Sequence, residues 1–136
     1  MWLIVIAIES TTWLSSEHTS RILYPLLHRL FNLDFSQFEE VHFYIRKSGH
    51  VFGYGLLSLL LFRAWKQTLP AIDASKWKVR WAGIAVLGTA LVASLDEWHQ
   101  SFLPSRTGTV RDVILDTSAG IAAQLLVLVW VTFVST

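Results

Sequence analysis

Cysteine is absent from the 136 residues. Its absence excludes a disulfide scaffold, a zinc–thiolate centre and an iron–sulfur cluster. Charge is scarce: 15% of residues are Asp, Glu, Lys or Arg, against roughly a quarter in an ordinary soluble domain. The net charge is only +1, which gives no support for nucleic acid as a partner, since that requires a clustered basic footprint. Neither an internal repeat nor a low-complexity tract is present. Low hydropathy is lacking too, because the mean hydropathy is +0.47, and intrinsic disorder is thereby excluded. What the chain has is apolar side chains, 53% of the total, in about one domain's length. Two classes remain: a small membrane protein, or a soluble bundle of unusually apolar helices.

Uncharged runs favour the membrane. Thr117 to Thr136 carries no charge, long enough for a hydrocarbon core of roughly 30 Å at about 1.5 Å per residue. Trp81 to Leu95 and Ser48 to Phe62 are further uncharged runs, the second extended past Arg63, whose head group snorkels. Met1 to Leu14 is apolar except for Glu9 and short of a full span. With no basic n-region and no small-residue cleavage site, it does not read as a signal peptide. The expectation is an all-α polytopic membrane bundle with about four membrane segments, near 1–14, 48–65, 79–98 and 113–134, the first one short.

Lysine and arginine set the orientation. The loop after Trp65 holds Lys66, Lys76, Lys78 and Arg80 against Asp73, so it is expected inside, with both termini. Trp65, Trp77, Trp81 and Trp130 then mark the inner interface, and Trp13 and Trp98 the outer one. An outer-side amphipathic segment is expected at 17–47, where Leu23, Leu26, Leu27 and Leu30 repeat at helical spacing. Pro25 is expected in the first turn of that helix. Ser36 and Glu39 have capping-box spacing, which predicts a helix from Gln37 that continues through Arg46 and His50.

In this topology the ionisable residues near the membrane segments, loop cations apart, gather at the outer end. His50 opens the second segment, Asp96, Glu97, His99 and Gln100 close the third, and Arg106, Arg111, Asp112 and Asp116 open the fourth. Ionisable groups at membrane depth are a functional-site hypothesis by default. Arg46, His50 and Tyr54 share a helix face, as do Asp112, Asp116, Gly120 and Gln124. Asp96 is spaced to orient His99. The small residues Ala119, Gly120 and Ala123 allow close helix approach. Each group also has a plainer reading. Lys47 and Arg111 can meet lipid head groups, Asp112 can serve the helix dipole, Tyr54 can simply pack, and the acids with His99 can be salt-bridge glue.

The motifs R-K-S-G-H-V-F-G-Y-G-L-L (46–57), S-L-D-E-W-H-Q-S-F-L-P-S-R (94–106) and R-D-V-I-L-D-T-S-A-G (111–120) resemble those of the VanZ-like family of small bacterial membrane proteins. Ser105 stands where that family usually has glycine, and Asp116 where it usually has asparagine. The family is named for a protein associated with teicoplanin resistance. The resemblance implies a multi-pass protein of the bacterial plasma membrane with a role in the cell envelope, and supplies no reaction.

Two functions fit the residues. In the first, an intramembrane hydrolase or transferase acts on a lipid-linked envelope precursor. Catalysis is assigned to His50, Asp96, Glu97, His99 and Arg106, and substrate binding to Arg46, Tyr54, Gln100, Asp112 and Asp116. In the second, the same cluster binds a glycopeptide, a lipid or a partner without catalysis, or clamps the bundle. No cofactor is expected. A divalent metal is a minor alternative, since the nitrogen and oxygen donors suit zinc or manganese but no H-E-x-x-H pattern occurs and arginines stand close by in the sequence.

Overall fold

A computed structural model describes residues 16–68, 79–103 and 108–134. The expected segment 1–14 and the cationic loop residues Lys76 and Lys78 lie outside them. Four helices follow one another: α1 (Ser16–Phe31), α2 (Phe35–Thr68), α3 (Val79–Gln100) and α4 (Val110–Val134). Among the described residues there is no strand. Helices α2, α3 and α4 pack against one another pairwise, and α1 lies on α2.

Local chemistry sets the turn between α1 and α2. Asn32 takes the left-handed conformation with φ 53°, and its N–H donates to the His28 carbonyl at 2.8 Å. This is an αL helix stop. The His28 ring donates to the Leu33 carbonyl at 2.8 Å. Helix α2 then begins two residues before the expected start. Its cap is Asp34, whose N–H donates to Gln37 Oε1 at 3.1 Å. The side chain of the third helical residue thus reaches back to the cap, the arrangement expected of Glu39 but delivered by Gln37. As expected, α2 continues unbroken through Arg46 and His50, giving a 34-residue helix. Pro25 is not in a first turn; it sits in the interior of α1, which starts at Ser16.

An aromatic cluster holds α1 to α2. Tyr24 meets Phe35 and Phe38 edge-on at 5.4 and 5.1 Å between centroids. His42 is buried, stacks on Phe38 at 5.3 Å, and lies 2.9 Å from Thr19 Oγ1 through Nε2. Burial, reinforced by Arg46, lowers the His42 pKa from its ordinary value, while Glu39 opposes this.

The three-helix core is built at two levels. Phe62, Trp81, Ala82 and Ala85 form one cluster, and Tyr54, Leu57 and Ala93 the other. Trp81 was expected at the inner interface, but it is buried edge-on against Phe62 at 6.2 Å. Trp98 and Trp130 are exposed, as interface residues would be. Between the levels, α4 approaches closely at Gly120. A Cβ there would stand 3.0 Å from Thr89 Cγ2 and 3.4 Å from Ser58 Cβ. The contact is polar as well as tight. Ser58 Oγ donates to the Gly120 carbonyl at 3.1 Å, and Gln124 Nε2 donates to Ser58 O and Oγ at 3.0 and 2.9 Å.

Among the described residues two helices, α3 and α4, are long and apolar enough to cross a membrane, with mean hydropathies of 1.4 and 1.8 in their most apolar windows. Only 33% and 22% of those windows are buried inside the chain. Leu87, Leu91, Ile121, Leu126 and Phe133 point outward, unlike the covered core helix of a soluble protein. Of the about four spans expected, two are met among the described residues, which do not include segment 1–14. In α2 the apolar stretch is bracketed by Arg46, Lys47 and His50 at one end and Arg63 and Lys66 at the other, which lowers its hydropathy below theirs.

Two outcomes are expected. Replacement of Gly120 by leucine overpacks the α2–α3–α4 contact and lowers stability by about 1–3 kcal/mol. The same change at exposed Gly83, where nothing lies within 4 Å of a Cβ, leaves thermal unfolding in detergent micelles unshifted. Acidification loosens α1. The depressed His42 pKa means that the unfolded chain takes up this proton first. The stability it protects is present above the unfolded value of about 6.5 and is lost as pH falls through the folded value. Amide protection of α1, corrected for intrinsic exchange, falls between pH 7.5 and 5, and His42→Gln removes that dependence.

Candidate functional site

At one end of the three-helix bundle, polar side chains from α2, α3 and α4 converge. Each helix contributes through its own periodicity. On α2, His50 and Tyr54 are one turn apart, with ring centroids 6.1 Å from each other. On α3, Asp96, Glu97 and Gln100 are all buried. On α4, the stripe Asp116, Gly120, Gln124 is buried.

The cluster divides into two parts. In the first, hydrogen bonds close the site. Asp96 Oδ2 accepts from Tyr54 OH at 2.9 Å and from Gln100 Nε2 at 3.0 Å. Lys47 pairs with Asp112, bridging α2 and α4, and its ammonium lies 5.6 Å from the Phe43 ring centroid. Lys47 is thus engaged within the bundle rather than at lipid head groups. Asp112 and Asp116 share a helix stripe but have separate partners, Lys47 and His50. Arg46 is half-buried nearby. Burial lowers its pKa from the ordinary arginine value, and the Asp112 carboxylate opposes that change.

The second part is less fully paired. Asp116 has no exposed surface. Its Oδ2 lies 3.3 Å from His50 Nδ1, whose N–H can donate to it. Its Oδ1 is buried without a hydrogen-bond partner among the described residues. Glu97 is buried beside them, with Oε2 accepting the Thr109 N–H at 2.8 Å. One ligand-type atom each from His50, Glu97 and Asp116 lies within 4.8 Å of the others. A buried, unpaired carboxylate oxygen is costly, and it belongs to the carboxyl group that lies beside His50 and Glu97.

The turn between α3 and α4 holds Glu97. Helix α3 tightens at its end, with Ser101, Phe102 and Leu103 N–H groups donating to Glu97, His99 and Gln100 carbonyls. Thr109 caps α4 by accepting the Asp112 N–H on Oγ1 at 3.2 Å, while its own N–H goes to Glu97. Gly108 lies so close that a Cβ would stand 2.0 Å from the Glu97 carbonyl oxygen. Beside this turn, Ser94, Trp98, Ser101, Thr109, Val110 and Val113 line a groove of about 390 Å³ that Glu97 also borders.

Of the residues assigned from sequence, His50, Tyr54, Asp96, Glu97, Gln100 and Asp116 come together, with Arg46 and Asp112 at the edge. His99 does not join them. It is exposed on α3, and Asp96 turns to Tyr54 and Gln100 instead of to its ring. Arg106 lies outside the described residues. Sequence reasoning missed Thr109 and the inward role of Lys47. The T-V-R-D spacing of Thr109 and Asp112 is itself a helix-start signal. For Lys47 no local signal exists, because its partner is 65 positions away.

No curated protein and no solved structure matches the chain. The profile of one family, described as VanZ/LLP1, matches residues 1–133. That match takes in α1, α2, α3, all but the last residue of α4 and all the residues that converge at the bundle end, and the chain is accordingly a member of the VanZ/LLP1 family.

Proposed function

We propose that this chain is a multi-pass protein of the bacterial plasma membrane that receives the charged head of a lipid-linked envelope precursor. In this reading four segments cross the bilayer: 1–14, the apolar part of α2, α3 and α4. The polar bundle end faces outside, both termini face inside, and the activity bears on glycopeptide (teicoplanin) susceptibility. The observation that carries the reading is the convergence of His50, Glu97 and Asp116 from three helices, with a buried carboxylate oxygen left unpaired. A purely structural clamp has no use for that oxygen, since a neutral, fully bonded contact would stabilise more.

The groove bordering Glu97 supports a substrate with a lipid tail. Trp98, Val110 and Val113 give it apolar walls beside outward-facing Leu95 and Ile114. Hydrolysis or group transfer is centred on His50, Glu97 and Asp116, with Arg106 and Arg46 as head-group contacts. Tyr54, Asp96 and Gln100 position the site, because their bonds are already made. His99 is left out.

A second reading rests on those same satisfied bonds. Tyr54–Asp96–Gln100 and Lys47–Asp112 join the helices as a clamp would, and a non-catalytic binder needs nothing more.

The test compares wild type with Glu97→Gln, Asp116→Asn and Tyr54→Phe in a glycopeptide-susceptible host at matched membrane abundance. Teicoplanin susceptibility and extracted envelope lipids are read together. Glu97→Gln and Asp116→Asn are expected to abolish the wild-type phenotype and to change one lipid species. Tyr54→Phe, which removes one hydrogen bond worth about 1.5–3 kcal/mol when its acceptor is charged, is expected to lower thermal stability and weaken the phenotype only partly. Loss of phenotype without any lipid change supports the binder, and an unchanged phenotype in all three leaves the cluster as structural glue and removes the enzyme reading.

A further inference from the structure

We infer that His50, Glu97 and Asp116 form a binding site for one divalent transition-metal cation of the zinc or manganese type. The donor set comes first. One imidazole and two carboxylates offer the nitrogen and oxygen atoms that such ions take. The three donors come from three different helices, and their nearest ligand-type atoms lie within 4.8 Å of one another. A cation with ligands at about 2.0–2.2 Å holds them within roughly 4.4 Å, so small side-chain rotations close the set.

Burial is the second argument. Asp116 has 0% exposure and Glu97 5%. Asp116 Oδ1 has no hydrogen-bond partner among the described residues, and a cation bound by this carboxyl group supplies the counter-charge that the missing bond does not. The surroundings are those of a supported ligand set. Thr109 N–H holds Glu97 Oε2 at 2.8 Å, the kind of outer hydrogen bond that fixes a ligating carboxylate.

Charge is the third. Four carboxylates, Asp96, Glu97, Asp112 and Asp116, gather at this bundle end. Lys47 is already committed to Asp112, and Arg111 is exposed. Arg46, coupled to Asp112, offsets part of this charge, while the Glu97 and Asp116 carboxylates at the centre oppose an anionic head group there. A divalent cation at His50, Glu97 and Asp116 reverses the local sign and leaves coordination positions for phosphate-type oxygens or water. The ion's role towards a substrate rests on the preceding reading of the site; its binding does not.

The experiment uses the full chain in detergent micelles, stripped of metal by a chelator and titrated with ZnCl2, MnCl2 or MgCl2 alone. Calorimetry gives affinity, and atomic emission gives bound metal per chain. The expected result is one zinc or manganese ion per chain, with magnesium much weaker. Glu97→Gln and Asp116→Asn weaken binding at least about 100-fold, beyond the 10–100-fold typical of losing an outer-shell partner. Glu40→Gln, an exposed carboxylate on α2, leaves binding unchanged. Wild type alone decides the matter if a variant does not fold: Co2+ gives an absorption band that stoichiometric Zn2+ abolishes. Absence of stoichiometric binding to wild type overturns the inference, as does binding that both variants retain. Metal binding with no effect of the variants on susceptibility keeps the site and removes the envelope function. Altered susceptibility with a metal-free wild type does the reverse.

Discussion

Asp116 sets the terms for the rest of the bundle. Its carboxylate is wholly enclosed, on a helix whose other faces carry leucine, isoleucine and valine. A charge or a bare carboxyl in that position is tolerated only if neighbours are brought to it. His50 on α2 comes within hydrogen-bond reach of one oxygen. One turn further along the same stripe, Gly120 lets α4 close on Ser58 and Thr89, and the next turn sends Gln124 to Ser58. The close approach that buries Asp116 is thus produced by the residue following it on its own face. Small, acidic and amide side chains in one row make a helix that is apolar to the outside and adhesive to the inside.

The division of labour at the bundle end follows from hydrogen-bond capacity. A carboxylate oxygen accepts two bonds readily, and Asp96 Oδ2 accepts from Tyr54 and Gln100. Lys47 and Asp112 neutralise each other at the rim. What lies between these closures has a surplus of acceptors: Asp116 with one bare oxygen, and Glu97 held through the other helix's first turn. Gln124 Oε1, two turns from Asp116 on the same stripe, is likewise buried without a hydrogen-bond partner among the described residues, so the surplus of acceptors runs along the inner face of α4. The supporting residues are thus held by bonds of their own, and the central carboxylates are the ones with acceptor capacity to spare.

Much of this was legible in the sequence, and the parts that were not have physical causes. Uncharged runs identified α3 and α4 because hydropathy is additive along a helix. The stripe Asp112–Asp116–Gly120–Gln124 could be read from spacing alone, since it lies on one helix. Spacing misled where two readings compete for the same residue. Asp96 stands one turn from both His99 and Gln100, and only the neighbouring helix, through Tyr54, determines which way it turns. The start of α2 was misplaced for a similar reason, because Asp34–Gln37 and Ser36–Glu39 are overlapping caps and the turn at Asn32 favours the earlier one. Trp81 looked interfacial because tryptophan often is, but Phe62 offered it a buried edge. Lys47 and Asp112 are paired by tertiary packing, which no local pattern records.

The three central side chains enter the chain in the order His50, Glu97, Asp116, each on a separate helix. A growing polypeptide therefore carries its acidic and imidazole groups singly for most of its synthesis. Until α4 has emerged and docked, the carboxylate of Glu97 lacks both the Thr109 amide that restrains it and the acid that completes the trio. A chain cut short before α4 keeps the apolar helices α2 and α3 but lacks Asp116, so the three side chains come together only once the last helix is in place.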